Sequence, residues 1–292
     1  MTEAIRTIDL TTNTVISNRD VITDTSVYSI DINQNTGEYI VAKPFDLDGT
    51  AGGEVVIYPQ SSLMDIYQPV SIKNFAQISS LYYPLDARFD YTNNKVWIAD
   101  TGNERVIKIK RNNLSNVDAI IRDVIYPHSL VVNLNNGGAF VKAFTDGSMN
   151  TGIVYSLKSN CDIAATFEFD PIDVNSSSSS SSSSNIGSMS TSSSSGERVF
   201  PQLPYYNSMA YDHVRSRIWW LAGHKIYMAD EKNMQVETYD LYLNHFVASF
   251  SVSIELESGN AFVVVKDIHD ERFLIQMFRD CNRVVGIAYL PE

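Results

Sequence analysis

Apolar and polar residues alternate along most of this chain. Residues 27–32, 106–110 and 249–254 each show a period of two, which is typical of β-strands whose two faces differ in burial. Short runs rich in Asn and Gly, such as residues 135–138, lie between the alternating segments and predict tight turns. Long stretches with the 3.6-residue period of an amphipathic helix are absent from the sequence, so the pattern predicts an all-β fold.

The alternating segments recur as a unit. Five times, a strand that ends in a polar residue is followed by a turn and by a second strand that opens with an aromatic residue. The aromatic residue follows the polar one by seven positions in four units and by eight positions in the first unit. We call the five polar residues the anchors; they are Asp31, Asp90, Asn133, Asp212 and Glu255.

The spacing of the anchors predicts the architecture. Successive anchors are separated by 59, 43, 79 and 43 residues, so two intervals are equal and two are longer, as insertions would make them. A repeat of about 40–45 residues with four strands is the signature of β-propeller blades. We therefore predict one all-β domain over residues 1–292, a β-propeller of five four-stranded blades. Its repeat units are predicted at about 26–84, 85–126, 127–205, 206–245 and 246–292.

The N-terminal segment, residues 4–24, resembles the back half of a repeat unit and predicts a β-hairpin. Because the last unit already has four predicted strands, this hairpin is surplus. Two interpretations stay open: the hairpin forms a partial sixth blade, or it pairs with another chain. Propellers commonly close by joining their two termini, which hides edge strands.

Two insertions account for the long intervals. Residues 175–196 are a serine-rich, low-complexity segment, which predicts a surface loop. Residues 46–50 read Asp-Leu-Asp-Gly-Thr, a string found in phosphotransferases that use the first Asp as nucleophile and the second as acid/base. It is also part of a calcium-loop pattern. The parallel α/β context and the remaining calcium ligands are missing from the sequence, so a polar hairpin turn is the favoured interpretation.

A family resemblance rests on residues 87–106. Within them, residues 97–106 read Trp-Ile-Ala-Asp-Thr-Gly-Asn-Glu-Arg-Val, which resembles an NHL repeat. Residues 212–228 are a weaker relative that lacks the Asp-Thr-Gly-Asn turn. The resemblance implies a propeller of a type that mostly binds ligands and proteins, with a minority of lactonase-like and lyase-like enzymes.

The anchors are also the candidate metal ligands. The lactonase-like members hold a metal in the central channel with Glu, Asn and Asp side chains, so the resemblance implies an alternative in which Asp31, Asp90, Asn133, Asp212 and Glu255 bind a divalent cation such as calcium. The anchors recur beside turns, however, which favours a turn-capping role. The five histidines form no metal-spaced pair, and we predict no catalytic residue and no resident cofactor.

Trp219 and Trp220 are the candidate binding residues. They are adjacent, so on a strand they point to opposite faces. One indole is predicted to pack between blades and the other to be exposed as part of a binding face.

Charge and composition exclude several classes of function. The formal net charge is -12 and the basic residues are scattered, which argues against nucleic-acid binding. Cys161 and Cys281 are too few for a disulfide framework or a zinc quartet. The N-terminus lacks the apolar region of a signal peptide, and no apolar stretch is long enough to insert into a membrane.

These observations favour a non-enzymatic binding or assembly module whose partners are other protein chains or surface glycans. A chain rich in Ser, Thr, Asn and Tyr is typical of exterior-facing proteins, yet no leader is predicted. A virion fits both observations, so the hypothesis is a phage or virus structural or tail-associated adhesion protein in a larger assembly, located in the virion or the cytoplasm. The alternative is a metal-dependent NHL/lactonase-like hydrolase or lyase with its site in the central channel.

Overall fold

A computed structural model describes residues 27–45, 51–59, 69–76, 78–145, 152–169, 208–255 and 257–290, together with the backbone of residues 4–9 and 14–20. The Asp-Leu-Asp-Gly-Thr string at residues 46–50 and the serine-rich segment at residues 175–196 lie outside these ranges. The predictions of a polar turn and of a surface loop there therefore stay predictions.

The N-terminal hairpin consists of β1 (Ala4–Asp9) and β2 (Thr14–Asp20), which pair antiparallel as a separate two-stranded sheet. Twenty further strands form five antiparallel four-stranded sheets. The first sheet contains β3 (Ser29–Ile32), β4 (Tyr39–Phe45), β5 (Ala51–Tyr58) and β6 (Val70–Ile72). The second contains β7 (Pro84–Asp90), β8 (Lys95–Asp100), β9 (Arg105–Lys110) and β10 (Asn113–Ile121).

The remaining three sheets repeat this plan. The third contains β11 (Pro127–Asn133), β12 (Gly138–Phe144), β13 (Gly152–Leu157) and β14 (Ile163–Phe169). The fourth contains β15 (Met209–Asp212), β16 (Arg217–Ala222), β17 (Lys225–Asp230) and β18 (Val236–Asp240). The fifth contains β19 (Phe246–Ile254), β20 (Ala261–Asp267), β21 (Arg272–Met277) and β22 (Val284–Leu290). Within the described loops, short 3-10 helices occur at Thr101–Asn103 and Leu241–Asn244.

Every four-stranded sheet pairs its strands in sequence order. The first strand of each sheet contacts the first strand of the next, from β3 through β7, β11 and β15 to β19. The five sheets are thus the blades of a β-propeller with their first strands innermost, which confirms the predicted fold class. No helix in the described part of the chain has the length and apolar character needed to span a bilayer.

The core lies between neighbouring sheets and not in one central cluster. Ile40 and Ala42 of the first sheet pack against Ala87 and Phe89 of the second. Three further clusters fill the spaces between the second and third, third and fourth, and fourth and fifth sheets. Alternate residues of the central strands therefore face different neighbours, so both faces of a blade are apolar.

Because the strands alternate in direction, the turns fall on two ends of the propeller. We call the end with the turns between first and second strands the first-turn end; it carries residues 33–38, 90–95, 133–138, 212–217 and 255–260. The opposite end, which we call the second-turn end, carries the turns between second and third strands and the connections from one sheet to the next.

Candidate functional site

Three of the anchors cap the turns at the first-turn end. Oδ1 of Asp90 accepts the backbone N–H of Asn93 at 3.0 Å. Oδ1 of Asp212 accepts the N–H of Val214 at 3.0 Å, and Oδ1 of Asn133 accepts that of Asn135 at 3.0 Å. All three anchors are buried. A short side chain that accepts a backbone N–H two or three residues ahead stabilises the turn directly.

Glu255 occupies the same place in the fifth sheet but acts mainly through its backbone. Its carbonyl oxygen accepts the N–H of Gly259 at 2.7 Å, and its carboxylate accepts the hydroxyl of Ser258. Gly259 has a φ of +78°, a left-handed conformation that glycine adopts without strain. This turn is therefore closed by a backbone carbonyl, where a side-chain oxygen caps the turns at Asp90, Asn133 and Asp212.

Asp31 lies elsewhere. It precedes the turn by two residues, and its Oδ2 accepts the backbone N–H of Phe89 at 2.8 Å, in the first strand of the next sheet. Burial raises the pKa of this carboxyl above its ordinary value. The turn position in the first sheet belongs to Asn33, whose Oδ1 accepts the N–H of Asn35 at 3.0 Å. Asn33 precedes the core residue Ile40 by seven positions, so it restores the spacing of the other units.

Side chains of the capped turns also bond to neighbouring sheets. The Arg111 guanidinium bonds the Glu38 carboxylate between the second and first sheets. Nδ2 of Asn135 donates to the carbonyl of His213 at 2.9 Å, and Nη2 of Arg215 donates to that of Glu257 at 2.8 Å. Four of the five anchors thus lie at the turns of one end of the molecule, and Asn33 takes the fifth position in place of Asp31. Within the described ranges, no three His, Cys, Asp or Glu side chains come close enough together to hold a metal ion.

Side chains near the axis protect the edges of the innermost strands. The carboxylate of Asp86 accepts the N–H of Leu130 at 2.7 Å, in the next sheet. Ser29 accepts the N–H of Ala87, and Ser208 accepts that of Val252. An unpaired strand edge would offer these donors to another chain, so the contacts keep the channel wall closed. Sequence reasoning missed these residues because a Ser or Asp on a first strand carries no distinctive local signal.

The residues that resemble an NHL repeat form a buried clasp at the second-turn end. Asp100 accepts the N–H of Tyr82 at 2.8 Å and pairs with Nε of Arg105 at 2.6 Å. Burial raises the pKa of Asp100, although these donors oppose the shift. Nη2 of Arg105 donates to the carbonyl of Ser79 at 2.8 Å, and the Thr101 hydroxyl donates to that of Pro127 at 2.5 Å. The motif ties a turn to the two connections beside it.

The prediction that one of the two adjacent tryptophans is exposed is wrong. Trp219 and Trp220 are both 0% exposed. Trp219 packs into the core toward the fifth sheet. Trp220 points to the third sheet, where its ring stacks on Tyr227 with centroids 5.2 Å apart. Each face of the fourth sheet is covered by a neighbouring blade, so side chains on both faces of β16 are buried.

A buried lysine lies between the third and fourth sheets. Lys142 is 1% exposed, donates to the carbonyl of Leu221, and lies 5.4 Å from the ring centroid of Phe169. Burial lowers the pKa of its ammonium to about 7. Burial and the nearby charge of Lys142 also lower the pKa of His128 to about 3. The alternating pattern around residue 142 does not predict that Lys142 is buried, because a single Lys in a strand normally lies on an exposed face.

Exposed apolar side chains gather at one corner of the second-turn end. Tyr242, Leu243 and Ile268 are 44%, 72% and 69% exposed, and we call them the second-turn patch. Phe246 pairs with Asp267 across β19 and β20, so the segment that follows the 3-10 helix and the turn that carries Ile268 meet here. Patches of large exposed apolar residues mark surfaces that bind other molecules.

A polar groove of about 220 Å³ lies at the first-turn end, where the outer parts of the fourth and fifth sheets meet. Arg217 is at its centre, with Nη1 3.0 Å from Oδ1 of Asp280 and Nε 3.8 Å from Oδ2 of Asp230. Amide side chains, including that of Gln235, and Met228 also line the groove. The groove offers both hydrogen-bond donors and acceptors, which suits a neutral polyhydroxyl group.

Neither a family model nor a curated protein matches the chain in sequence. Among solved structures, a chain from the crystal structure of a nidogen/laminin complex is similar in fold, with a TM-score of 0.61 and 10% sequence identity. The similarity covers 99% of this chain and 91% of that one. At this identity the similarity shows the fold alone, a β-propeller. The resemblance of residues 87–106 to an NHL repeat stays a prediction.

Proposed function

We propose that this chain is a non-enzymatic binding module that attaches to another protein chain through the second-turn patch. The observation that carries the proposal is the exposure of Tyr242, Leu243 and Ile268 at one corner, since Leu243 and Ile268 are the two most exposed large apolar side chains of the described residues. Leu243 in particular lies two residues after the fully buried Leu241 in the same 3-10 helix, so we expect its position to be well fixed. Rigid apolar groups at a rim make efficient anchors because little entropy is lost on binding.

The fold of the neighbour supports the proposal without deciding it. The nidogen/laminin structure is, by its title, a complex of two proteins. Many unrelated functions use propellers, so the choice of a protein partner rests on the patch of this chain.

The setting that we propose is a phage or virus particle, where the chain would act as a structural or tail-associated adhesion protein. The support is compositional: a Lys-poor surface with a formal net charge of -12. The polar groove around Arg217 makes surface glycans the second candidate partner.

One binding experiment tests these proposals together. The purified chain is immobilised and exposed to separated virion structural proteins and, in parallel, to an array of cell-surface glycans. A Leu243→Asp variant should lose protein binding by at least tenfold, while an Asp280→Asn variant at the groove should keep it. Glycan binding that is lost only in Asp280→Asn would assign the function to the groove. Both proposals are contradicted if the wild type and the two variants bind the virion proteins and glycans equally, or if none of the three binds either.

The metal-dependent hydrolase or lyase is the alternative hypothesis. It requires a divalent cation such as calcium near the anchors. Elemental analysis of the purified protein, followed by an esterase and lactonase screen with and without a chelator, separates it from the binding module. Stoichiometric calcium together with chelator-sensitive turnover would favour the enzyme.

A further inference from the structure

The far face of the first sheet, meaning the face that points away from the second sheet, is covered. Tyr39, Val41, Val56 and Tyr58 form an apolar cluster on this face, and none is more than 9% exposed. Among the described residues, only Val27 is recorded as a partly buried neighbour of this cluster. The burial occurs within a single chain, so other residues of the same chain must form the cover.

The cover is about two strands wide. Val41 on β4 is 0% exposed, but Ile30, its register partner on the innermost strand, is 40% exposed. Val56 on β5 is 4% exposed, but Ser71, its partner on the outermost strand, is exposed. The cover therefore lies over the two central strands of the sheet and leaves the inner and outer strands open.

The far face of the fifth sheet shows a weaker form of this pattern. One register row crosses this sheet through Ser251, Val264, Leu274 and Ala288. The two central residues of the row are partly buried, whereas Ser251 and Ala288 at its ends are exposed. Because Val263, which alternates with these residues, packs toward the fourth sheet, the row points away from it. Both free faces of the array are thus shielded only in the middle.

The first and fifth sheets do not close the ring against each other. Consecutive sheets contact through their innermost strands, but no comparable contact joins β19 to β3 within the described residues. We call the space between the two half-covered faces the slot.

We infer that the N-terminal hairpin of the same chain, β1 and β2, fills this slot as a half-width sixth blade. It is the one two-stranded sheet among the described elements. Its strands have six and seven residues, close to the seven and eight of β4 and β5. A two-stranded hairpin alone in water is marginally stable, so it needs an apolar face to pack on.

The connection to the first sheet favours docking within the chain. Residues 21–26 separate β2 from Val27, and Val27 already packs on the covered cluster. Six residues reach at most about 20 Å. So short a link gives the hairpin a high effective concentration at this slot and not at a distant site.

A double-mutant cycle tests the inference. Val41→Ser should lower the midpoint of thermal unfolding of the intact chain by about 5 °C, because Val41 is buried. In a chain that lacks residues 1–24, the same substitution should lower the midpoint by less than half as much, because the cover is gone. Val141→Ser is the matched control: Val141 is 0% exposed between the second and third sheets, and its effect should be the same in both chains. The inference would be overturned if Val41→Ser lowered the midpoint by the same amount in the intact chain and in the chain that lacks residues 1–24.

A second experiment covers the case in which the truncated chain fails to fold. A protease site placed between Asp20 and Val27 allows the folded protein to be cut after purification. The released hairpin should stay bound, co-elute with a monomeric propeller, and separate only in mild denaturant with a gain in dye binding to exposed apolar surface. Loss of the peptide at once with no such gain, or a dimer that exchanges hairpins between chains, would overturn docking within the chain.

Discussion

The two ends of the propeller are built on different principles. At the first-turn end, each of the five turns between first and second strands is closed by a local hydrogen bond: a side-chain oxygen of Asn33, Asp90, Asn133 or Asp212 accepts a backbone N–H, and in the fifth turn the backbone carbonyl of Glu255 does so. At the second-turn end, the described turns differ from one another. One is a buried ionic clasp and another is a glycine turn beside a stacked His224 and Tyr242. In a repeat protein, what recurs maintains the repeat, and what differs is free to acquire a function.

Removal of an anchor should have the largest effect on stability. Asp212 is 0% exposed, accepts two backbone N–H groups and pairs with Arg215 at 3.2 Å. Asp212→Ala should lower the free energy of unfolding by about 3 kcal/mol, because buried donors lose their acceptor. Urea denaturation measures this loss. The control, Asp212→Asn, keeps an acceptor and should lose about 1 kcal/mol. A loss below 1 kcal/mol for the alanine variant would mean that the first-turn end does not depend on its anchors.

The next largest effect should come from buried Lys142, which should make the free energy of unfolding depend on pH. Its pKa in the folded state is about 7, below the ordinary 10.5. Between these values the unfolded chain binds more protons than the folded one, so stability rises with pH. The rise should be about 2 kcal/mol between pH 7 and pH 9. Lys142→Met should remove this part of the slope in urea titrations at several pH values. Lys95→Met, at a surface pair with Asp118, should leave the slope unchanged. Equal slopes in wild type and Lys142→Met would contradict the low pKa.

A comparison of two Asn caps sharpens the account of the first-turn end. Asn33→Ala should lower the free energy of unfolding by about 1 kcal/mol, the value of one capping hydrogen bond. Asn133→Ala should cost about 2 kcal/mol, because Nδ2 of Asn133 also donates to the Tyr211 hydroxyl at 2.9 Å. Denaturation midpoints of the two variants measure the difference. Equal losses would mean that the bond to the neighbouring sheet contributes nothing.

The smallest effect on stability is expected at the second-turn patch. Leu243→Ser should change the free energy of unfolding by no more than about 0.5 kcal/mol, because Leu243 is 72% exposed. Leu241→Ser, in the same 3-10 helix but with Leu241 0% exposed, should lower it by about 3 kcal/mol. Differential scanning calorimetry of both variants tests the contrast. A large loss for Leu243 would mean that the patch serves the fold and is not free for a partner.

The sequence predicted the repeat more reliably than the position of individual residues in it. Spacing found the five blades because four short strands per unit leave a strong periodic signal. It chose Asp31 over Asn33 because Tyr39 is aromatic, although Ile40 is the residue that enters the core toward the second sheet. A local sequence pattern predicts that a residue is buried, but it does not predict which of the two neighbouring sheets the residue packs against.

The remaining features depend on contacts between units. The buried environment of Lys142 is created by the carbonyl of Leu221, 79 residues away. Trp219 and Trp220 are both hidden because blades cover both faces of their sheet. The second-turn patch joins a loop and a turn that only the pairing of Phe246 with Asp267 brings together. None of these contacts can be predicted from a short stretch of sequence, because each joins residues that are far apart in the chain or lie in different sheets.

The sequential order of strands within every blade has a consequence for biosynthesis. Because each blade pairs only neighbouring stretches of chain, it can form as soon as its own residues leave the ribosome, without waiting for a distant segment. Nascent blades would then stack in order from the first to the fifth. The slot between the first and last blades is the exception, since it exists only when the final strand has been made. If the hairpin docks in this slot as we infer, closing the ring would be the last step of maturation.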